Sequence, residues 1–236
     1  PISHIELEEM NTYEVLIRMM DDNGSIIMPN AFLPTAERFG LAVDIDTWVI
    51  ENSIIYLSQI RAFAPKVRFS VNLSAQSLSV PTITKAIPEL LKKHKLDASA
   101  LTFEVTETSA IANIGMAVNF LSSLQRLGCR TSLDDFGTGM SSFAYLRELP
   151  VDIVKIDGKF IRDLANSSVD QAIVKAMNEI AHAMGKETVA EFVEDKNQLA
   201  VLKEIGVDYA QGYYLGKPEK IESVFTQLVS IRKIAH

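Results

Sequence analysis

Short apolar stretches of β character alternate with segments of helical periodicity along the chain. The β-rich stretches are YEVLIRM, VRFSVNLS, LTFEVTE, RTSLDD, VDIVKID, ETVAEFV and DYAQGYYL. Between them, apolar residues recur at helical spacing over residues 30–39, 45–62, 82–94, 113–126, 168–184 and 195–204. This alternation predicts a parallel sheet, either doubly wound or closed as a barrel. The opening residues PISHIEL predict one further strand, which looks truncated.

The length and composition fit one globular domain that spans residues 1–236. No linker or repeat divides the chain, and because it begins at Pro1 we expect it to be excised from a longer protein. The net charge of −7 is a poor match for a nucleic-acid polymer, but it allows a small phosphorylated ligand held through cations. No apolar run reaches the ~18 residues of a membrane span, so we expect no direct membrane insertion. Cys129 is the only cysteine, which excludes a disulfide framework.

Polar residues cluster near the C-terminal ends of the predicted strands or just beyond them. They are Asn72, Glu104, Asp134, Asp135, Lys155, Asp157, Glu191 and Gln211. Glu14 lies earlier in its strand and fits the pattern less well. The C-terminal rim of a barrel is where catalytic groups collect, and several carboxylates facing one cavity repel each other unless cations lie among them. Oxygen ligands of this kind favour Mg²⁺ or Mn²⁺ over zinc.

The adjacent aspartates Asp134 and Asp135 are unusual for a strand. Neighbouring side chains on a regular strand point to opposite faces, but a twist or bulge at the rim would turn both toward one cavity. The pair is then a metal-bridging unit. The structural alternative is that the two aspartates cap a turn before Gly137. Structural alternatives exist elsewhere too: Lys155 as a surface lysine, and Arg18 paired with a surface carboxylate.

Seven motifs, in this order, carry a family resemblance. They are EVLIR at 14–18, NLS at 72–74, EVTE at 104–107, DDFGTG at 134–139, KID at 155–157, AEFVE at 190–194 and QGY at 211–213. The chain resembles the EAL domain family of bacterial phosphodiesterases, which cut the second messenger cyclic di-GMP to linear pGpG. The resemblance implies an α/β fold, a (β/α)8 TIM-like barrel with one antiparallel strand near its start. It also implies a cytoplasmic, homodimeric domain of a multidomain signalling protein, either free or tethered to the inner membrane through domains outside this chain.

The resemblance also assigns roles to individual residues. It implies that two divalent ions, Mg²⁺ or Mn²⁺, activate a water for in-line displacement. Glu14, Asn72, Glu104 and Asp134 match the first metal site, and Asp134, Asp135 and Glu191 match the second. Lys155 matches a lysine that contacts the nucleophilic water. Arg18, Leu16, Gln211 and Glu194 match substrate-site positions, and Glu107 matches a glutamate that anchors the DFGTG loop and couples dimerisation to metal binding.

Three departures from the family pattern bear on activity, and one is that the glutamine usual before the first proline is absent because the chain starts at Pro1. Val15 replaces the alanine of the signature triplet, which leaves Glu14 intact. Phe192 replaces a glycine beside Glu191. We expect the strand to stay regular and the ring to pack outward against the helices, so that removal of the ring in Phe192→Gly would lower the free energy of unfolding by ~3–5 kcal/mol. These departures keep open an alternative function, a cyclic di-GMP receptor that does not hydrolyse its ligand, and more distantly an unrelated metal-dependent barrel enzyme.

Trp48 is expected in the core.

Overall fold

The computed structural model describes residues 1–8, 10–139 and 143–234. Its barrel strands lie close to the predicted apolar stretches, whereas the hairpin strand at Ile26–Ile27 was not predicted. In chain order they are β1 (Ile2–His4), β2 (Thr12–Val15), β3 (Met19–Met20), β4 (Ile26–Ile27), β5 (Arg68–Asn72), β6 (Leu101–Thr106), β7 (Arg130–Phe136), β8 (Ile153–Ile156), β9 (Glu187–Ala190) and β10 (Tyr209–Gln211). β3 and β4 form a separate hairpin, and the other eight strands close into a barrel.

The barrel confirms the predicted fold, including its one antiparallel strand. Around the barrel the strand order is β1-β10-β9-β8-β7-β6-β5-β2, and β1 runs antiparallel to both of its neighbours. A parallel pair needs a crossover of about a dozen residues or more, and the short chain between His4 and Thr12 is too short for one. β1 contacts β2 through a single residue pair, Ile2 with Thr12, so this is the most weakly paired strand junction of the barrel.

Helices cover the outside of the barrel. They are α1 (Pro29–Arg38), α2 (Ala42–Arg61), α3 (Pro81–His94), α4 (Glu107–Ala112), α5 (Ile114–Arg126), α6 (Ala144–Glu148), α7 (Ser168–Ala183), α8 (Lys196–Ile205) and α9 (Ile221–Ile234). The six predicted helices are confirmed within a few residues. The short helices α4 and α6 hold too few residues to show a period, whereas α9 has apolar residues at helical spacing that the sequence analysis missed. None of the described helices is both long enough and apolar enough to cross a membrane.

Packing of the helices on the barrel corrects the expectation for Trp48. The buried side of α2 is formed by Ile50, Ile54 and Leu57, which follow one another at spacings of four and three residues. Trp48 lies off this line and is 59% exposed. Cys129 is buried just before β7, and burial raises the pKa of its thiol to about 12, so the thiol is protonated at neutral pH.

Candidate active site

The C-terminal ends of the barrel strands bring together the polar residues that the sequence singled out. Glu14 joins this group because β2 ends at Val15, earlier than its apolar sequence suggests. The side chains of the cluster are those of Glu14, Asn72, Glu104, Asp134, Lys155, Glu191 and Gln211. Six of them lie on six different strands, and Glu191 directly follows β9.

Lys155 lies at the centre of this cluster. Its Nζ is 2.8 Å from Glu104 Oε2, 2.9 Å from Glu191 Oε1, 3.1 Å from Asp134 Oδ1 and 3.6 Å from Glu14 Oε2. The lysine is 1% exposed, so the surface alternative for this residue is wrong. A buried ammonium is costly unless it is paired, and here four carboxylates from different parts of the barrel converge on it.

The pKa values show that the cluster holds more carboxylate than one lysine neutralises. Burial alone would lower the pKa of Lys155, but Glu104 and the other carboxylates raise it well above the ordinary value, so the lysine stays charged. Burial raises the pKa of Glu104 to about 7 and that of Glu191 to about 8, and neighbouring carboxylates add to both effects. The cluster therefore favours additional positive charge.

Two amide side chains hold Glu14. Asn72 Nδ2 donates to Glu14 Oε1 at 2.6 Å, and Gln211 Nε2 donates to Glu14 Oε2 at 2.5 Å. Burial alone would raise the pKa of Glu14, but Lys155 and the two amides lower it, so the carboxylate is ionised. Gln211 Oε1 is buried and has no hydrogen-bond partner among the described residues. The amide orientations therefore direct both oxygens away from Glu14, as acceptors for a ligand.

A bulge in β7 turns both adjacent aspartates toward the cavity. The pairing of β7 with β8 shifts register between Leu133 and Phe136, and Asp135 has a φ of 54°. Aspartate tolerates this left-handed conformation better than most residues. One oxygen from each of Asp134, Asp135 and Glu191 lies within 4.8 Å of the other two. The bulge that the sequence suggested is thus confirmed.

This donor set fits divalent cations. The three carboxylate oxygens of Asp134, Asp135 and Glu191 lie close enough together to share one ion, and Lys155 is the only cationic side chain paired with them in the described part of the chain. One ammonium does not neutralise three carboxylates at this spacing, so the group favours a further cation. Oxygen-only donors of this kind match Mg²⁺ and Mn²⁺.

Asp157 belongs to the site, although the sequence analysis gave it no role. Its carboxyl group lies beside that of Asp135, and it accepts the backbone N–H of Lys159 at 2.8 Å. Burial, then the charges of Asp134 and Asp157, raise the pKa of Asp135. The signal available in the sequence was the position of Asp157 two residues after Lys155, on the next inward-facing position beyond β8.

Glu107 holds the loop that follows the two aspartates. Its Oε2 accepts the backbone N–H groups of Gly137, Thr138 and Gly139 at 2.7, 3.1 and 3.3 Å, and its Oε1 accepts the Tyr145 hydroxyl. Glu107 is fully buried although it begins α4. Residues 140–142 lie outside the described residues. The carboxylate thus fixes the backbone directly beyond the bulge.

Three residues predicted to contact the substrate lie beyond strand ends, Leu16 and Arg18 after β2 and Glu194 after β9. Arg18 is half-buried, its Nη1 donates to the Ile17 carbonyl at 2.8 Å, and it has no carboxylate partner among the described residues. The surface ion-pair alternative for Arg18 is therefore not observed there. Leu16 is 40% exposed. Glu194 is exposed, and its backbone N–H donates to Gln198.

Phe192 corrects the expectation of a regular strand. β9 ends at Ala190, and Phe192 has a φ of 54°, a conformation that favours glycine. Its ring is 48% exposed rather than packed against the helices, and Arg162 lies 5.3 Å from the ring centroid. The ring covers Gly158, where a Cβ would come within 2.2 Å of Phe192 Cδ2. Position 192 can hold phenylalanine because position 158 has no side chain.

We expect Phe192→Gly to change the free energy of unfolding by only about 1 kcal/mol, because relief of the left-handed backbone offsets the lost contacts of a half-exposed ring. The matched control is Phe192→Ala, which removes the ring and keeps the strain. In urea unfolding the glycine variant is expected to be more stable than the alanine variant by about 1 kcal/mol. An alanine variant as stable as the glycine variant would contradict this account.

The chain is similar to known proteins over most of its length. The chain is 39% identical over 223 residues to cyclic di-GMP phosphodiesterase PdeF of Escherichia coli (strain K12), a match that covers 94% of the chain and 30% of that protein. It is 41% identical over 214 residues to cyclic di-GMP phosphodiesterase PdeB of Shewanella oneidensis, with 91% and 25% covered. It thus spans less than a third of either relative.

A solved structure and a family profile complete the comparison. The PaMucR phosphodiesterase in complex with c-di-GMP has a TM-score of 0.88 at 34% identity, over 95% of this chain and 91% of that one. The profile described as the EAL domain matches residues 1–218. The matched region includes every residue of the acidic cluster, and the chain belongs to the EAL domain family.

Proposed function

We propose that this domain hydrolyses cyclic di-GMP to linear pGpG with the help of two divalent ions, Mg²⁺ or Mn²⁺. The observation that carries the proposal is the convergence of four carboxylates on buried Lys155, with Asp135 turned into the same cavity. The names of the two curated relatives support the substrate and the reaction. The bound ligand of the PaMucR structure supports the same nucleotide.

The residues divide between two ion sites. One ion would be held by Glu14, Asn72, Glu104 and Asp134, and the other by Asp134, Asp135 and Glu191. When bound, the ions supply an activated water and neutralise negative charge that develops at phosphorus. Lys155 stays protonated, so it would act as a hydrogen-bond donor that orients the attacking water and not as a base. Glu191 and the two aspartates would complete the enclosure of that water.

The mouth of the barrel would bind the substrate. Arg18, which has no carboxylate partner in the described residues, would contact a phosphate, and exposed Leu16 would contact an apolar face of the nucleotide. The unpaired Oε1 of Gln211 would accept a hydrogen bond at the site. Glu194 would contribute from the rim. Homodimerisation, a cytoplasmic location and placement in a multidomain signalling protein remain predictions from the family resemblance.

Arg18→Ala is expected to weaken binding of cyclic di-GMP and to leave metal binding unchanged. The lost contact is one charge-assisted hydrogen bond to phosphate, worth ~1.5–3 kcal/mol, or roughly 10- to 150-fold in affinity. Calorimetry measures the two affinities separately. One titration uses cyclic di-GMP in the presence of Ca²⁺ and gives the nucleotide affinity, and the other uses Mn²⁺ alone and gives the metal affinity. Arg38→Ala, at an exposed position in α1, is the matched control. Equal nucleotide affinity in Arg18→Ala and the wild type would refute the role.

The proposed function is tested by incubating the domain with cyclic di-GMP and Mg²⁺ or Mn²⁺ and resolving the nucleotides by chromatography. Linear pGpG is the expected product, and chelation of the metal is expected to stop its formation. The strained backbone at Phe192, next to Glu191, favours one alternative, a receptor that binds the nucleotide without cutting it. Tight binding with no pGpG would support that alternative and contradict hydrolysis.

A further inference from the structure

A buried carboxylate outside the acidic cluster is the starting observation. Asp46, on the barrel-facing side of α2, is 8% exposed. Its Oδ2 accepts three hydrogen bonds, from Ser74 N at 2.8 Å, Ser74 Oγ at 2.7 Å and Ser77 Oγ at 2.6 Å. Burial of a carboxylate is costly unless it is satisfied in this way. Charge-assisted bonds of this kind are about twice as strong as neutral ones, so the contact is rigid.

The segment that Asp46 holds begins directly after a proposed metal ligand. Asn72 is the last residue of β5, and Ser74 follows two residues later. On the other side of this turn, Leu73 N donates to the Glu104 carbonyl at 2.9 Å. The two residues after Asn72 are therefore held by different elements: Leu73 is bonded to β6 and Ser74 is bonded to α2.

The direction of the Asn72 side chain depends on that fixed backbone. Its Nδ2 donates to Glu14 Oε1 at 2.6 Å, which leaves Oδ1 as the only atom that can bind a cation. An asparagine amide rotates over a broad range, so a backbone shift changes where the oxygen points. The position of the Asn72 oxygen therefore depends on two contacts, the hydrogen bond of the amide to Glu14 and the turn that follows β5.

We infer that Asp46 is a positioning residue, which acts through the turn at Ser74 to set the Asn72 oxygen for a divalent cation. The inference rests on the proposed function only in taking Asn72 as a ligand. Loss of groups that orient a metal ligand typically weakens metal affinity 10- to 100-fold. Because Asp46 acts one step further from the ion, we expect the lower end of that range.

The test is a double-mutant cycle read by Mn²⁺ binding, with free Mn²⁺ measured by electron paramagnetic resonance. Asp46→Asn keeps the shape of the side chain and removes its charge, and it is expected to weaken Mn²⁺ binding about 10-fold. In the Asn72→Ala background the same substitution is expected to have no further effect, because the ligand oxygen is already gone. Asp44→Asn, at an exposed position of the same helix, is the matched control and is expected to bind Mn²⁺ like the wild type.

Two results would overturn the inference. One is wild-type Mn²⁺ affinity in Asp46→Asn. The other is an Asp46→Asn effect on Mn²⁺ affinity that is as large in the Asn72→Ala background as in the wild type, because a general loss of structure acts whether or not the Asn72 oxygen is present. Should Asp46→Asn fail to fold, Ser77→Ala removes one of the three hydrogen bonds, enters the same cycle and is judged by the same two results. The readout needs no turnover, so failure of hydrolysis and failure of this inference are distinguishable.

Discussion

Asp134→Asn is expected to reduce hydrolysis of cyclic di-GMP by roughly 10³-fold or more, because the residue is proposed to bridge both ions and supplies charge that an amide lacks. Glu104→Gln is expected to have a similar effect. Chromatography of the nucleotides gives the rate. The fold is expected to survive, since removal of one carboxylate relieves repulsion in the metal-free cluster. Thermal melting without metal checks this second expectation.

Asp44→Asn is the control for these variants, because it makes the same chemical change at an exposed position of α2. It is expected to hydrolyse the nucleotide at the wild-type rate. Turnover by Asp134→Asn within a few-fold of wild type would exclude a bridging role for Asp134. The two-ion proposal would then have to be replaced by one in which Glu104 and Glu14 act without it.

The second large effect is expected from Glu107→Ala. Three backbone N–H groups and the Tyr145 hydroxyl lose their common acceptor, and the loop beyond Asp134 and Asp135 is released. A displacement of about 1 Å in a reacting group can cost ~100-fold in rate, and we expect a loss of that size in kcat. Steady-state kinetics at saturating metal measures it.

Tyr145→Phe separates loop anchoring from a general loss of packing. It removes one hydrogen bond to Glu107 and leaves the three backbone contacts in place, so its kcat is expected to stay within about 10-fold of wild type. Equal losses in Tyr145→Phe and Glu107→Ala would show that the backbone contacts are not the important ones. Retained activity in Glu107→Ala would show that the loop holds its position without the carboxylate.

The sequence allowed the barrel and the cluster to be predicted, for identifiable physical reasons. The strands of a barrel are covered by helices and are therefore mostly apolar. A polar residue near the end of an apolar stretch is conspicuous for that reason. The adjacency of Asp134 and Asp135 indicated a bulge, since no regular strand points both side chains one way. The choice of a barrel over a doubly wound sheet came from the family resemblance, because both folds alternate strands and helices in the same manner.

Tertiary contacts explain what the sequence could not show. ETVAEFV has the composition of a strand, but β9 ends at Ala190, and beyond it Val193 N donates to the Gln211 carbonyl of β10 while Gly212 lies against Val193. Phe192 takes its left-handed conformation from these distant contacts. Trp48 was placed wrongly because apolar residues of α2 lie on more than one side of the helix, and only the packed structure shows which side is buried.

The weakly paired strand β1 gives the acidic cluster a second physical role. β1 is inserted between β2 and β10 and meets β2 at one residue pair, so the sheet is most easily opened there. The hydrogen bond from Gln211 to Glu14 joins the same two flanking strands directly, across the top of β1. A ligand that contacts Glu14 and Gln211 together therefore also holds the two edges of the sheet together. A bound ligand therefore opposes local unfolding at the junction of β1 and β2, and amide hydrogen exchange in β1 is expected to be slower when the site is occupied.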